Sequence, residues 1–249
     1  MFSAASRVYG QAAVVIPAHH EKADLPACLR AVLTACLCVP TPVTVVVVLD
    51  ATDDGSTQLA GQYGPDVHFV RVEARNVGAA RAAGFRYVRS LPIFGGADCW
   101  YATTDADSRV DPDWLVRQLQ TDADMYLGLV RVTDWKRHRP EVVDRFEQDY
   151  EARIGEDQDT DQDHDHVHGA NMGFSSTAYW RLGGFRSLPS GEDVDLVARF
   201  EAAGYCVERD TRSSVTTSAR VDAPAPDGFA DHLRQLDSVG AAGPVEDCA

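Results

Sequence analysis

Asp105 and Asp107 stand one residue apart at the end of an apolar run, Cys99-Trp100-Tyr101-Ala102-Thr103. Two carboxylates placed where a buried strand breaks the surface suit a divalent cation. Strand side chains alternate faces, so the spacing predicts that both point the same way, with the small Ala106 turned aside. An Asp-x-Asp pair is more often a solvated loop or a helix cap, and its meaning depends on what else converges on it. A second group of ligating side chains, His164, His166 and His168, alternates with acids in and just beyond the stretch 156–166. That stretch has no apolar content and reads first as a mobile surface loop, with transition-metal binding as the alternative.

The elements that must position the two aspartates follow a regular alternation. Ala12 to Ile16 reads as a buried strand stopped by Pro17, and Leu25, Cys28, Leu29, Val32, Leu33 and Cys36 then fall at helical spacing. Val43 to Leu49 is a β-branched run of the kind found in central parallel strands, and it ends at Asp50. A short helix follows around Thr57 to Tyr63, then a strand at Val67 to Val72, then a helix opening near Asn76-Val77-Gly78. After the Trp100 strand, Asp111-Pro112 reads as a helix start with Asp as N-cap. This order implies an α/β fold with a mostly parallel sheet and a ligand crevice at the carboxyl ends of its strands. Pro17, Asp50, Asn76 and Asp105 each stand at such an end.

The second half is less regular. Met125 to Val132 reads as a strand, Glu141 to Ile154 as an amphipathic helix, and Ser176 to Leu182 as a short helix stopped by Gly183-Gly184. Glu192-Asp193-Val194-Asp195 opens a further helix, where Asp195 suits the positive end of the helix dipole. Tyr205 to Glu208 and Val215 to Ser218 read as two short edge strands. The expected organisation is a single domain over 1–220, with a nucleotide-binding half at about 12–110 and an acceptor-side half at about 111–220. The acidic loop spans 156–167, and 221–249 is a tail, partly disordered, with one helical patch near Phe229 to Leu236.

A formal net charge of -15 argues against nucleic-acid backbones and anionic membrane surfaces as partners, and a polyanionic ligand would need a local cation. The six cysteines form no C-x-x-C pair and most lie in apolar stretches, which points to a reducing, cytoplasmic setting. The longest apolar run, Val43 to Leu49, is too short to span a bilayer, and a soluble protein without transmembrane segments is expected.

Taken in order, Val14-Val15-Ile16-Pro17-Ala18, Glu21, Asp50, Asn76-x-Gly78-x-x-Arg81, Asp105-x-Asp107, Gly169-Ala170-Asn171, Gly183-Gly184-Phe185 and Glu192-Asp193 resemble the family 2 glycosyltransferases. The resemblance runs from about Val14 to Val207. It implies the GT-A fold, a Rossmann-like, mostly parallel central sheet flanked by helices, with a smaller acceptor-side subregion. It also implies a nucleotide-diphosphate sugar donor, a hydroxyl acceptor and inversion at the anomeric carbon. On this resemblance Pro17, Ala18, Glu21 and Asp50 hold the base and ribose, while Asn76, Gly78 and Arg81 line the crevice near ribose and diphosphate. A helix N-terminus with a small Gly lets N–H groups approach a phosphate, and an Arg adds charge. Close helix-sheet packing at Gly78 with a solvated Arg81 is the structural alternative.

By the same resemblance Mg²⁺ or Mn²⁺ is the cofactor, with Asp107 the direct ligand and Asp105 nearer the ribose or metal-bound water. Asp193 matches the catalytic base, while Glu192, Gly169, Ala170, Asn171 and Met172 shape the donor-sugar and acceptor pocket. Trp135 is either a sugar-stacking platform or an ordinary half-buried Trp. The chain departs from the pattern at His20, where many relatives have Asn, and in the shifted loop Thr52-Asp53-Asp54-Gly55. No histidine occurs between Asp193 and His232 to complete a metal shell. The Gln-x-x-Arg-Trp motif of processive members is absent, so transfer of one sugar per acceptor is expected. Two other readings compete: a sugar-phosphate nucleotidyltransferase, which would carry a Gly-rich basic loop after the first strand, and a non-catalytic sugar-nucleotide or Ca²⁺ module using the acidic loop.

Overall fold

A computed structural model describes residues 7–95, 98–135, 140–151 and 166–218. Strands β1 (Ala12–Ala18), β2 (Val43–Asp50), β3 (Val67–Val72) and β4 (Trp100–Thr103) run parallel in the order β3-β2-β1-β4. The chain steps outward from β1 to β3 and then crosses to the other side of β1, so the strand order reverses between β1 and β4. Such a switch point opens a crevice at the carboxyl ends of the strands. Beyond β4 the sheet continues with β6 (Met172–Ser175), antiparallel to both β4 and β5 (Met125–Asp134), and β7 (Val207–Ser218) lies parallel to β5.

Alternation along the strands feeds two cores. Val14, Ile16, Val45, Val47 and Leu49 face α1 (Leu25–Leu37) and the start of α3 (Trp114–Gln120). Ala13, Val15, Val46 and Val48 face α2 (Val77–Ser90). On that same side Phe85, Tyr101, Phe174, Tyr179 and Phe200 join α2 to α5 (Ser176–Arg181) and α6 (Glu192–Ala202). The remaining helix, α4, spans Pro140–Glu151. Among the described residues no helix is long and apolar enough to cross a membrane.

Several local expectations need correction. Pro17 lies inside β1, opposite Val48, and does not stop it. The ladder from β1 to β4 ends at Val15, and beyond it a residue without an N–H is tolerated on that side. The short helix after β2 is one 3₁₀ turn, Ser56–Leu59. Helix α3 begins at Trp114 with Asp113 as its cap residue, because Asp111 and Pro112 form the preceding turn, closed by the Trp114 N–H to the Asp111 carbonyl. The two expected edge strands are one strand, β7, whose register with β5 shifts between Gly128 and Leu129, leaving a bulge on β7. Asp195 does lie in the first turn of α6, and it is also paired with Arg186 and Arg199. Most of the acidic loop, His164, the tail and His232 lie outside the described residues.

Gly84 is where α2 comes closest to the sheet. A Cβ there would stand 2.9 Å from Val48 Cγ2 and nearer still to Val15. Gly84→Ala is therefore expected to lose about 1–3 kcal/mol in urea unfolding. That is opposite in sign to the gain of up to about 1 kcal/mol that Ala brings to an ordinary helix interior.

Candidate active site

The wall of the crevice on the β2 side is organised by Asp50, the last residue of β2, which is 4% exposed. Its Oδ1 accepts the N–H groups of Ala74 (2.7 Å) and Arg75 (2.9 Å), and its Oδ2 accepts that of Asn76 (2.9 Å). Asn76 then caps α2, its Oδ1 accepting the Ala79 N–H at 2.8 Å, while its Nδ2 donates to the Leu188 carbonyl at 2.6 Å. His19 Nδ1 lies 2.7 Å from the Asp50 carbonyl oxygen. Three non-glycine residues around this turn system, His20, Ala51 and Arg75, have φ of 56°, 46° and 49°. Left-handed backbone of this kind costs free energy and persists only where surrounding bonds over-determine it.

A second turn sits beside it. Asp54 accepts from Ser56 N (2.9 Å), Ser56 Oγ (2.6 Å), Thr52 Oγ1 (2.9 Å) and, across the crevice mouth, Lys22 N (2.8 Å). Burial opposes the charged form, but these four donors outweigh it and hold the Asp54 carboxyl below the usual carboxylate range. Pro17 and Ala18 are buried in β1, and Glu21 is half-buried in the turn whose carbonyl accepts the first N–H groups of α1.

Asp105 and Asp107 do not extend a strand. Strand β4 ends at Thr103, and a turn closed by the Ser108 N–H to the Asp105 carbonyl (3.0 Å) carries both acids, so period-two alternation does not apply to them. Ala106 turns into the core, as expected of the small residue between them. Asp107 faces the end of β7, where Thr217 Oγ1 donates to its Oδ1 at 3.4 Å. Asp105 faces α2, its Oδ1 accepting Arg81 Nη2 at 2.6 Å. Beneath the turn Cys28 donates its thiol to the Asp105 carbonyl (3.3 Å). Burial, helped by Asp107 and Asp105, pushes that thiol well up, so it stays a protonated donor.

Arg81 is spent inside the protein. It is 2% exposed, donates to Asp105 through Nη2 and to Glu192 through Nη1, and lies 5.5 Å over the Phe185 ring. Burial works against its charge, but Asp105, Glu192 and Asp193 together raise its pKa. Both flanking backbones approach closely. A Cβ on Gly78 would stand 3.0 Å from Glu192 Cβ, and one on Gly169 would stand 2.6 Å from the Arg81 Cζ. The Gly169 N–H in turn donates to Asp193 Oδ2 at 2.8 Å, and Asp193 Oδ1 accepts the Val194 N–H at 2.9 Å.

The sequence profile of glycosyl transferase family 2 matches residues 13–183. The chain belongs to this family. No curated protein matches it. Among solved structures, the TarS 1-349 fragment of S. aureus in complex with UDP-GlcNAc superposes with a TM-score of 0.62 at 11% identity, over 92% of this chain and 66% of that one. A mannosyltransferase from Pyrobaculum calidifontis, in complex with GDP-Man and Mn²⁺, superposes with a TM-score of 0.59 at 17% identity, over 93% and 70% of the two chains. These likenesses establish the GT-A fold for this family 2 chain, which spans about two thirds of the TarS fragment's length.

Of the residues singled out by sequence, Asp50, Asn76, Gly78, Arg81, Asp105, Gly169, Glu192 and Asp193 form one connected network in the family 2 chain. Asn171 and Met172 are fully buried. Asn171 plugs the β7 bulge, donating to the Leu129 carbonyl (2.9 Å) and accepting from Trp114 Nε1 (2.9 Å), and Gly128 leaves room for it. Ala170 is 5% exposed and Trp135 half-buried. Sequence reasoning missed Thr217, which no local signal marks, and the part played by Asp54, for which the Asp-x-Ser turn pattern was a usable sign. Asp50→Asn replaces an acceptor-only group by one carrying an N–H₂ among three backbone donors. It is expected to cost about 1.5–3 kcal/mol in denaturant unfolding, the range for bonds to a charged acceptor.

Proposed function

We propose that the chain transfers a sugar from a nucleotide-diphosphate sugar to a hydroxyl acceptor, with inversion at the anomeric carbon, one sugar per acceptor. The observation that carries this reading is the placement of Asp193. Its carboxylate is fixed by two backbone N–H groups, and Arg81 and Glu192 tie it to the same crevice that Asp105 opens. Fixing a carboxylate leaves its remaining lone pairs aimed at one place, which is what a general base requires.

In the step proposed, the acceptor oxygen forms a bond to the anomeric carbon while the bond from that carbon to the phosphate oxygen breaks. The acceptor proton passes to Asp193, and the electron pair of the broken bond leaves on the nucleoside diphosphate. Asp50 and the turns it ties hold the wall against which base and ribose would rest.

Asp107, with Asp105 beside it, would hold Mg²⁺ or Mn²⁺. The donor set suits a hard cation: Asp107 offers carboxylate oxygens on the turn after β4, and Asp105, whose Oδ1 accepts from Arg81, offers its Oδ2 from the same turn. Such ions are commonly held by one or two carboxylates together with substrate phosphates. When bound, the ion neutralises charge developing on the leaving diphosphate. That a mannosyltransferase of the same fold is seen in complex with GDP-Man and Mn²⁺ supports a metal-assisted reading here.

The deciding experiment is calorimetry of the full chain against UDP-, GDP- and dTDP-sugars with Mn²⁺, followed by assay of nucleoside diphosphate release with the donor that binds. Binding of none of them would overturn the proposal. Asp193→Asn is expected to lower turnover by about 10²–10⁴-fold while leaving donor binding intact. In Asp107→Ala the gain in donor binding on adding Mn²⁺ should vanish, with EDTA no longer changing the measured affinity.

A further inference from the structure

We infer that Arg81 is a positioning residue that sets the base Asp193 against the donor-side Asp105, and that it is not a ligand of the diphosphate. The inference rests on the proposed transfer reaction and deepens it.

A phosphate ligand needs a cation with donors turned to the crevice. Arg81 has neither the exposure nor the charge to spare, since two carboxylates take its Nη1 and Nη2 and its whole side chain is 3% exposed. What the guanidinium does reach is the joint between two walls. Nη2 holds Asp105, at the end of β4; Nη1 holds Glu192, the first residue of α6 and the neighbour of Asp193. Gly169 lies flat on the guanidinium, with no room for a side chain, and its N–H orients Asp193. The planar fork therefore contacts both the residue that precedes the base and the backbone that aims it. A lysine, a single point charge on a flexible stem, cannot span Asp105 and Glu192 at once.

The joint has two handles, the fork of Arg81 and the missing side chain of Gly169. Arg81→Lys and Gly169→Ala are each expected to lower kcat on the order of 100-fold, the scale of an ångström-sized misplacement of a reacting group. The Kd for UDP or GDP with Mn²⁺, whichever the unaltered chain binds, should stay within about threefold. Because both changes act on one joint, the double variant should be little worse than the more damaged single one. A nucleotide Kd that weakens as much as kcat falls, in Arg81→Lys alone, would make Arg81 a phosphate ligand and overturn the inference. Additive losses in the double variant would also overturn it, by making the two positions independent.

A crystal structure of Arg81→Lys supplies a readout free of activity. The Gly169 N to Asp193 Oδ2 separation should open beyond hydrogen-bond reach, and retention of the 2.8 Å contact would overturn the proposal. If the unaltered chain binds no nucleotide, the transfer reading fails, and this separation alone decides the role of Arg81.

Discussion

A buried guanidinium between two carboxylates is the constraint around which the rest of the molecule is arranged. Taking Arg81 out of water is costly, and the cost is offset only because Asp105, Glu192 and the face of Phe185 meet it with little room for adjustment. Each of those partners belongs to a different element: the turn after β4, the first turn of α6, and the segment between α5 and α6. Arg81 itself is fixed by α2, which Asn76 caps and Asp50 holds to the end of β2. The crevice is thus a set of strand ends pinned to one cation, and glycine at 169 is the local expression of how closely a backbone must approach it, while Gly78 makes room for Glu192 and the Arg186 carbonyl.

That arrangement also bears on how so acidic a chain could present its crevice to the proposed anionic donor. With a net charge of -15, exposed carboxylates at the strand ends would repel a diphosphate. Most of them are occupied. Asp50 faces three N–H groups, Asp54 four donors, Asp193 two N–H groups, and Asp105 and Glu192 share a guanidinium. A carboxylate surrounded by donors presents much less negative field to a ligand than a solvated one.

Much of this was legible in the sequence. The apolar runs ending at Asp50 and Thr103 point to the parallel sheet and its switch point, because a central strand needs apolar residues on both faces. Asn76 could be read as a helix cap, since Asn is favoured there. Other features resisted reading for physical reasons. The fate of Arg81 depends on Glu192, 111 residues away, and no local pattern tells a solvated Arg from a buried one. Asn171 follows a Gly-Ala pair and looks like loop chemistry, yet a bulge in a distant edge strand draws it inside. The face of Asp105 and Asp107 is not the one alternation predicts, because the strand ends at Thr103 and both acids lie on the turn after it.

The contact between Thr217 and Asp107 bears on when the site can exist at all. The two residues are 110 positions apart, and Thr217 lies at the last described strand of the sheet. Chains are made from the N-terminus at a few residues per second to a few tens, and domains fold as their parts emerge. The four parallel strands and both major helices would therefore be available well before β7 is. A nascent chain paused between β5 and β7 would carry the four parallel strands while Asp107 still lacks the strand that bears Thr217. The turn that carries Asp107 therefore gains its contact with Thr217 only after 110 further residues have been made.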